Sequence, residues 1–370
     1  MNRFVRHIFL VVAVFMAAGA YAQEDMKLLL GVNFDTFFDN TEYTGTKLGE
    51  SGTLFSARLT PQIGVQWNEK NSLVIGADLF TDFGNETKFL SKARPQLYYR
   101  FATPKVKAYA GIFDRSAMRG YYSELFLSDA ARYYDNRVQG VLGQYVGERG
   151  YVELSVDWCG MYSEEARERF RVLSAGRYDI GRGRHFYAGY ALQLFHFAGS
   201  QQIEGSVVDN AIVNPYVGAK FNAFFDFDIK LHGILTMQRD RAVEDEMQMP
   251  GGALLQLRLS KWGVYLDEQI YTGRNLMPYY NSAPNKMFAN GYGSDLYAGS
   301  TLFGTQPYWE GDHDATHTFV DTRIGYQNSF FDDTVRLNAF IAFQCDGERW
   351  GTRQMLQLSV NLFKDVSLEK

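Results

Sequence analysis

Basic residues recur at alternating positions of extended segments, and this spacing is the first feature of the sequence with chemical meaning. Between residues 54 and 115, the side chains opposite the apolar face include Arg58, Lys92, Arg94, Arg100 and Lys107, with Arg115 at the rim. Asp78 and Asp82 fall on the same polar face. Charged side chains that line a water-filled passage set its ion selectivity. We expect a basic wall along such a passage; the alternative is that these residues pair with one another and solvate a polar wall.

Residues 116–136 combine an apolar triplet with charged and aromatic side chains. An exposed loop has no need of Leu125, Phe126 and Leu127, whereas a loop folded against an inner wall could bury them. It would then present a set of polar and aromatic side chains to the passage: Arg119, Tyr121, Tyr122, Glu124, Asp129, Arg132, Tyr133 and Asp135. The alternative is a surface loop that packs on itself or on a neighbouring subunit. The aromatic-rich segment 273–315 raises the same question.

The residues available for enzyme chemistry are few. Hydrolysis at a membrane surface needs a serine or an acid pair close to a histidine, and the histidines after residue 22 are His185, His196, His232, His313 and His317. Asp312, His313 and Asp314, with His317, form the one cluster that could bind a metal, but it lies in a loop that leads into a strand. We therefore expect no catalytic residue, no metal site, no cofactor and no enzyme activity. No nucleic-acid motif is present, so no nucleic-acid partner is expected.

The polar face belongs to long strands, which the segment 54–83 displays best. From Phe55 to Trp67 every odd residue is apolar or small, while Ser56, Arg58 and Thr60 mark the even positions. Strict alternation predicts a strand with one apolar and one polar face. Residues 68–71 form a turn, and a second alternating strand returns. In a bilayer, such strands must pair both edges, which a closed barrel achieves.

The same pattern repeats along the chain. It predicts sixteen strands at approximately 28–38, 54–67, 72–83, 88–102, 105–114, 138–146, 151–162, 169–180, 185–197, 211–224, 227–238, 251–261, 264–272, 316–327, 333–344 and 353–363. Short connections alternate with longer ones. The sequence therefore predicts an all-β fold, a transmembrane antiparallel up-and-down β-barrel of about sixteen strands, with fourteen or eighteen as alternatives. Pro61, Pro95 and Pro215 lie inside strands, where we expect local bulges.

Composition and the first residues agree with an exported membrane protein. Aromatic residues reach 16% and charged residues 21%, without a later apolar run long enough for a transmembrane helix, which excludes a helical membrane protein. Basic residues precede the apolar run 8–18, and Ala20-Tyr21-Ala22 matches the small residues that signal peptidase accepts. We therefore predict a signal peptide over residues 1–22, cut after Ala22. Residues 23–370 are predicted to form one barrel domain. Cys159 and Cys345 fall on strands at opposite walls and are expected to stay unpaired.

Together these features resemble the porin family of Gram-negative outer membranes. The resemblance implies a cell outer membrane location, a third outer loop that narrows the lumen, and contacts with outer-membrane lipid, lipopolysaccharide and the barrel-assembly machinery, and it adds a homotrimer as an expectation. The chain departs from the family at its end, because Phe363 is out of phase with the lipid face and residues 364–370 follow it.

The function that the resemblance implies is passive diffusion of small hydrophilic solutes. The excess of basic over acidic side chains at the inward positions of the strands adds an expected preference for anions at the constriction. One alternative is a substrate-specific transporter of the outer membrane whose barrel is gated or plugged. A surface enzyme or a structural outer-membrane protein is the other.

Overall fold

The computed structural model describes residues 26–84, 88–164, 166–201, 207–281, 291–304 and 315–367. Sixteen antiparallel strands close into one barrel, in which each strand pairs with the next and β1 pairs with β16. Their bounds are β1 Lys27–Glu42, β2 Gly52–Trp67, β3 Asn71–Asp82, β4 Lys92–Ala102, β5 Val106–Asp114, β6 Arg137–Val146, β7 Gly150–Gly160, β8 Arg169–Ile180, β9 Phe186–Phe197, β10 Val208–Asn222, β11 Asp226–Asp240, β12 Gly251–Lys261, β13 Val264–Gly273, β14 His317–Phe330, β15 Val335–Cys345 and β16 Trp350–Ser367. The predicted fold class and strand number are confirmed.

The alternation of side chains sets the two faces of the wall. On β2, Ser56, Arg58 and Thr60 are buried inside the barrel, whereas Leu59 and Ile63 are exposed on its outer surface. The register of β1 with β2 and of β2 with β3 keeps this phase from strand to strand. Because the outer surface is apolar and all strand edges are paired, the barrel suits a lipid environment. No helix within the described ranges has the length and apolarity needed to cross a bilayer.

Connections of unequal length distinguish the two ends of the barrel. At one end, tight turns join consecutive strands, and Asn68, Glu69 and Trp262 adopt the positive φ angles that such turns require. At the other end the connections include residues 115–136 and 274–316. We call these the short-turn end and the long-loop end. The first residue of β1 and the last residue of β16 both lie at the short-turn end.

The prolines do not produce the bulges that the sequence suggested. Pairing lapses beside Pro61 and Pro215, but the register is the same before and after each of them. At Pro95 the ladder between β4 and β5 has already ended, so the missing N–H costs no hydrogen bond there. The register shift in the β7–β8 pair lies instead between Trp158 and Gly160.

The chain ends differ from the prediction or lie outside the described residues. The last strand continues past Phe363 to Ser367 and pairs with Lys27–Gly31 of β1, so part of the segment after Phe363 extends the closing ladder. The predicted signal peptide lies outside the described residues. Cys159 and Cys345 are free, as predicted, and belong to strands on opposite sides of the ring.

Candidate functional site: an inward loop that divides the lumen

The loop between β5 and β6, residues 115–136, leaves the wall and enters the barrel; we call it L3. The β4–β5 ladder ends at Leu97 and Ile112, next to Gly111. Gly111 has φ +119°, and a Cβ atom there would lie 2.2 Å from the carbonyl oxygen of Leu97. Glycine is therefore required at the point where β5 separates from β4 and directs the chain inward.

The first half of L3 packs in an apolar cluster inside the barrel. Leu125, Phe126 and Leu127 are at most 2% exposed and contact residues of the loop that follows β13. The main apolar partners from that loop are Leu276, Met277, Leu296, Leu302 and Phe303. We call this cluster the plug. The inner faces of β8–β14 supply its walls, so that side of the lumen is filled with a hydrophobic core.

Backbone hydrogen bonds fix the two loops of the plug to each other. Ser300 N donates to Glu124 O at 2.7 Å, and Ser128 N donates to Ala298 O at 2.9 Å. At Gly299 a Cβ atom would lie 2.1 Å from the carbonyl oxygen of Leu125. The backbones are therefore in contact, and only glycine permits that approach.

The second half of L3 contains a short helix, α1 (Asp129–Tyr134), whose first residue forms ion pairs with the wall. Ser128 caps the helix by accepting a hydrogen bond from Ala131 N. Asp129 lies 2.9 Å from Arg353 of β16 and 3.4 Å from Arg323 of β14. The same two arginines bind Asp39, Asp321 and Glu124. This buried network joins L3 to the wall opposite its root.

The other end of α1 is held by arginines from the predicted basic wall. Arg58 donates to the carbonyl oxygen of Tyr133 at 3.0 Å, and Arg94 donates to that of Tyr134 at 2.8 Å. The carboxylate of Asp135 lies 3.2 Å from Arg115 and 3.6 Å from Arg171. Cations at the C-terminal end of a helix also complement its dipole.

Aromatic contacts complete the docking of α1. The Tyr133 ring stacks on Phe37 with centroids 4.8 Å apart, and Phe80 meets it edge-on at 6.1 Å. Phe340 and Met355 belong to the same buried cluster. Burial raises the pKa of Tyr133 to about 12, so its hydroxyl stays protonated at neutral pH. Ion pairs at one end, arginines at the other and aromatic rings between them hold α1 against the wall.

L3 separates two cavities inside the barrel. The cavity toward the long-loop end, which we call the vestibule, has a volume of about 840 Å³ and is lined by Lys92, Arg94, Arg171 and Arg353 among others. The cavity toward the short-turn end, the inner cavity, has about 650 Å³ and is lined by Asn33, Arg336 and Asn361 among others. Residues of L3 border both, and none of the described residues lines both. A solute that crosses the barrel must therefore pass L3.

The predicted basic wall faces the lumen, but its members differ in their partners. Arg58 is bound to Asp35 at 2.8 Å, and Arg115 is bound to Asp157 at 2.8 Å. Lys92 and Arg94 have no carboxylate within 4 Å among the described residues, and the Arg100 Nε atom is buried without a hydrogen-bond partner. Lys107 lies opposite Gln144 on the inner face of β5. The wall therefore holds both neutralised and uncompensated cations.

The predicted residues of L3 have separate contacts. Arg119 N donates to Glu153 at 2.7 Å, and the Tyr122 hydroxyl donates to the same carboxylate at 3.0 Å. The centroid of the Tyr121 ring lies 5.7 Å from that of the Tyr216 ring and 4.8 Å from Lys230 Nζ. Arg132 donates to the Tyr122 carbonyl at 2.6 Å. These contacts fix L3 to β7, β10 and β11 as well as to the wall opposite its root.

Sequence analysis did not identify Arg323 of β14 and Arg353 of β16 as partners of L3. Each lies about two hundred residues from Asp129 in the chain, with a separation of 194 for Arg323 and 224 for Arg353. L3 itself contains three arginines and three carboxylates, so its charge balance gives no signal of these distant partners. Asp312, His313 and Asp314 lie outside the described residues, and His317 is half-buried at the start of β14.

The pKa values of two L3 carboxylates in this network, Glu124 and Asp129, are shifted in opposite directions. Burial raises the pKa of Glu124 above its usual range, because the loss of solvent outweighs the attraction of Arg323, and Asp129 and Asp321 add repulsion. Burial would also raise the pKa of Asp129, but Arg353 and Arg323 more than offset it and hold that pKa below its usual range. Asp129 therefore supplies the stable negative charge of the docked loop.

Comparison with solved structures identifies the same architecture elsewhere. OpdO from Pseudomonas aeruginosa superposes with a TM-score of 0.52 at 9% identity, covering 92% of this chain and 98% of that one. The outer membrane protein OprD from the same organism gives 0.51 at 9% identity, covering 94% and 96%. OccK11 (OpdR), also from Pseudomonas aeruginosa, gives 0.50 at 10% identity, covering 92% and 96%. The predicted resemblance to outer-membrane porins is thus confirmed for the fold.

The sequence itself matches one family model. The model described as Lipid A 3'-O-deacylase-type matches residues 20–291, which include β1–β13 and end in the loop before β14. No curated protein matches the sequence. The chain has the barrel fold of outer-membrane porins and belongs to the lipid A 3'-O-deacylase-type family.

Proposed function

We propose that the protein is an outer-membrane channel for small hydrophilic solutes, in which L3 is the constriction. One observation carries the proposal: L3 lies across the lumen between two cavities that charged side chains help to line, and Asp129, Arg323 and Arg353 hold it to the opposite wall. The fold shared with OprD and OpdO supports a channel. Because L3 blocks a straight passage, the geometry favours a gated, substrate-selective channel over a wide diffusion pore.

An anion preference is the finer part of this proposal. Lys92 and Arg94 face the vestibule without a carboxylate within 4 Å among the described residues, whereas Asp39, Asp129 and Glu124 are bound to arginines. Uncompensated cations beside a narrow passage attract anions more strongly than they would in bulk water. A cleaved signal peptide and outer-membrane lipid as the surroundings belong to the same proposal.

Planar-bilayer recording of the purified protein tests the channel. We expect discrete conductance steps and, in a potassium chloride gradient, a zero-current potential displaced toward chloride. Incorporated protein that produces no steps would contradict the channel, and a displacement toward potassium would contradict the anion preference.

A lipid A deacylase is a second candidate, which the family match favours. Such an enzyme needs a base near an ester of a lipid at the outer surface of the wall. Of the described histidines, His196 faces outward at the long-loop end, with its ring centroid 5.1 Å from that of Phe170 and the two rings tilted by 31°. Its cross-strand neighbour Asp209 is bound to Arg241 at 2.7 Å instead. This arrangement gives the deacylase less support than L3 gives the channel.

Mass spectrometry of lipid A separates the two candidates. Lipid A from cells that produce the protein is compared with lipid A from cells that produce the H196A variant and from cells without the protein. The channel proposal expects three identical spectra. Loss of one ester-linked acyl chain in the presence of the protein would establish the deacylase.

A further inference from the structure

The two halves of L3 differ in what holds them. The plug half is held by apolar side chains and backbone hydrogen bonds, and its central residues Leu125, Phe126 and Leu127 are at most 2% exposed. Helix α1 instead has one face on the wall and one on the vestibule, where Ala130, Ala131 and Tyr134 form part of the lining. Its polar contacts are made by arginines whose side chains can exchange one partner for another.

The vestibule contains basic groups that have capacity for a further ligand. The Arg171 side chain is 6% exposed, and its Nε and Nη1 atoms have no hydrogen-bond partner in the described structure. Lys92 and Arg94 line the same cavity. A carboxylate or a phosphate binds guanidinium groups through charge-assisted hydrogen bonds that are about twice as strong as neutral ones. The carbonyl oxygen of Tyr134 is a neutral acceptor and a weaker partner for Arg94.

From these contacts we propose that the vestibule is a binding site for a small oxyanion, a carboxylate or a phosphate, formed by Lys92, Arg94 and Arg171, and that the bound anion releases α1. The anion accepts hydrogen bonds from Arg94 and from the unpartnered nitrogen atoms of Arg171, so Arg94 releases the Tyr134 carbonyl oxygen and the ion pair between Arg171 and Asp135 is weakened. The helix then leaves the wall and connects the vestibule with the inner cavity, while the plug stays in place. This inference rests on the proposed channel function and adds the class of solute that opens it.

The test records single channels of the full-length protein at constant ionic strength, with inorganic phosphate or gluconate added on the long-loop side. Loss of one hydrogen bond to a charged group changes an equilibrium by about tenfold, so we expect the open-to-closed ratio to rise by that factor. R94Q should respond to neither anion. R336Q is the matched control, because Arg336 lines the inner cavity, away from α1; it should respond as the unmodified protein does.

A response to one anion alone would identify the carboxylate or the phosphate as the ligand. Equal responses of R94Q and the unmodified protein, or shorter openings on addition of either anion, would overturn the proposal. A protein that conducts but ignores both anions would also overturn it and leave the channel function intact. A protein that never conducts would overturn the channel function itself.

A reversible cross-link between two uncharged positions tests the movement of α1 without relying on charge changes. Ser56 Oγ on β2 lies 3.0 Å from the Tyr134 hydroxyl of α1. In the C159S/C345S background, S56C/Y134C is bridged with a bis-thiosulfonate reagent, and we expect openings in phosphate to stop and to return after reduction. L48C/T301C is the matched control, because Thr301 Oγ1 donates to Leu48 O at 2.5 Å within the loops outside α1. Openings that persist in bridged S56C/Y134C, or that stop equally in bridged L48C/T301C, would overturn the assignment of α1 as the moving part.

Discussion

Arg94 Nη1 on β4 donates a hydrogen bond of 2.8 Å to the carbonyl oxygen of Tyr134, the last residue of α1. Alternation alone predicts that the Arg94 side chain projects freely into the lumen. Arg94 also supports L3, the loop that narrows the lumen. Arg58 does the same for Tyr133 and pairs with Asp35. The basic wall thus holds α1, and the attraction of anions is the second role that we propose for it.

Replacement of Arg353 should open the channel and destabilise L3. R353Q leaves Asp39 and Asp129 without their main cation, and removal of one partner from a buried ion pair costs about 3–5 kcal/mol. We expect a larger open fraction in bilayer recordings and faster proteolysis within residues 115–136. R336Q is the matched control, since Arg336 faces the inner cavity away from α1; equal effects of the two variants would contradict the role of Arg353.

Docking of L3 should depend on pH through two carboxylates with opposite signs. The raised pKa of Glu124 means that docked L3 binds a proton more tightly than free L3 does. Docking is therefore strengthened as pH falls through that raised pKa toward about 4.3, the ordinary value for Glu. The lowered pKa of Asp129 acts the other way: its contribution is present above about 3.9 and is lost as pH falls further.

Single-channel recording over a pH series checks this. The open fraction should fall on mild acidification and rise again under strong acid, and E124Q should lose the first change and keep the second. A monotonic pH profile of the unmodified protein, or an E124Q profile that is unchanged, would contradict the assignment.

The contact between the two loops of the plug should be sensitive to one methyl group. In G299A the new Cβ atom would lie 2.1 Å from the Leu125 carbonyl oxygen, so the backbones must move apart. We expect a lower temperature of heat-induced unfolding in detergent. G52A is the control, because a Cβ atom at Gly52 meets no heavy atom within 4 Å; a loss in G52A as large as in G299A would argue against close packing of the plug.

The two cysteines should differ in their access to a charged thiol reagent. Cys159 lines the vestibule, whereas Cys345 lies on the outward parity of β15. A membrane-impermeant methanethiosulfonate added on the long-loop side should modify Cys159 and reduce the current. C159S should keep its full current under the same treatment. If the reagent reduces the current of C159S but not that of C345S, the modified thiol is Cys345, and the vestibule lies elsewhere.

The strands could be predicted because their information is local. The alternation of Ser56, Arg58 and Thr60 with Leu59 and Ile63 depends on neighbouring residues, and a closed barrel follows from the need to pair every strand edge. The prediction of bulges at the prolines was wrong, because the strands accommodate Pro61 and Pro215 by a short gap in pairing without a change of register.

The contacts of L3 could be predicted only in part. Leu125, Phe126 and Leu127 indicated burial, but their partners Met277 and Phe303 lie in another loop more than a hundred residues away, and no periodicity links them. The pairing of Asp129 with Arg353 likewise depends on closure of the barrel, which brings β16 next to β1. Such contacts follow from the three-dimensional arrangement and leave no local pattern.

The current carried by one molecule of the unmodified protein in a potassium chloride gradient tests the central claim most directly. An outer-membrane channel divided by L3 predicts small, discrete steps that switch between closed and open levels, with a zero-current potential displaced toward chloride. A steady, wide conductance without closures, or no conductance from barrels whose incorporation is verified, would contradict it.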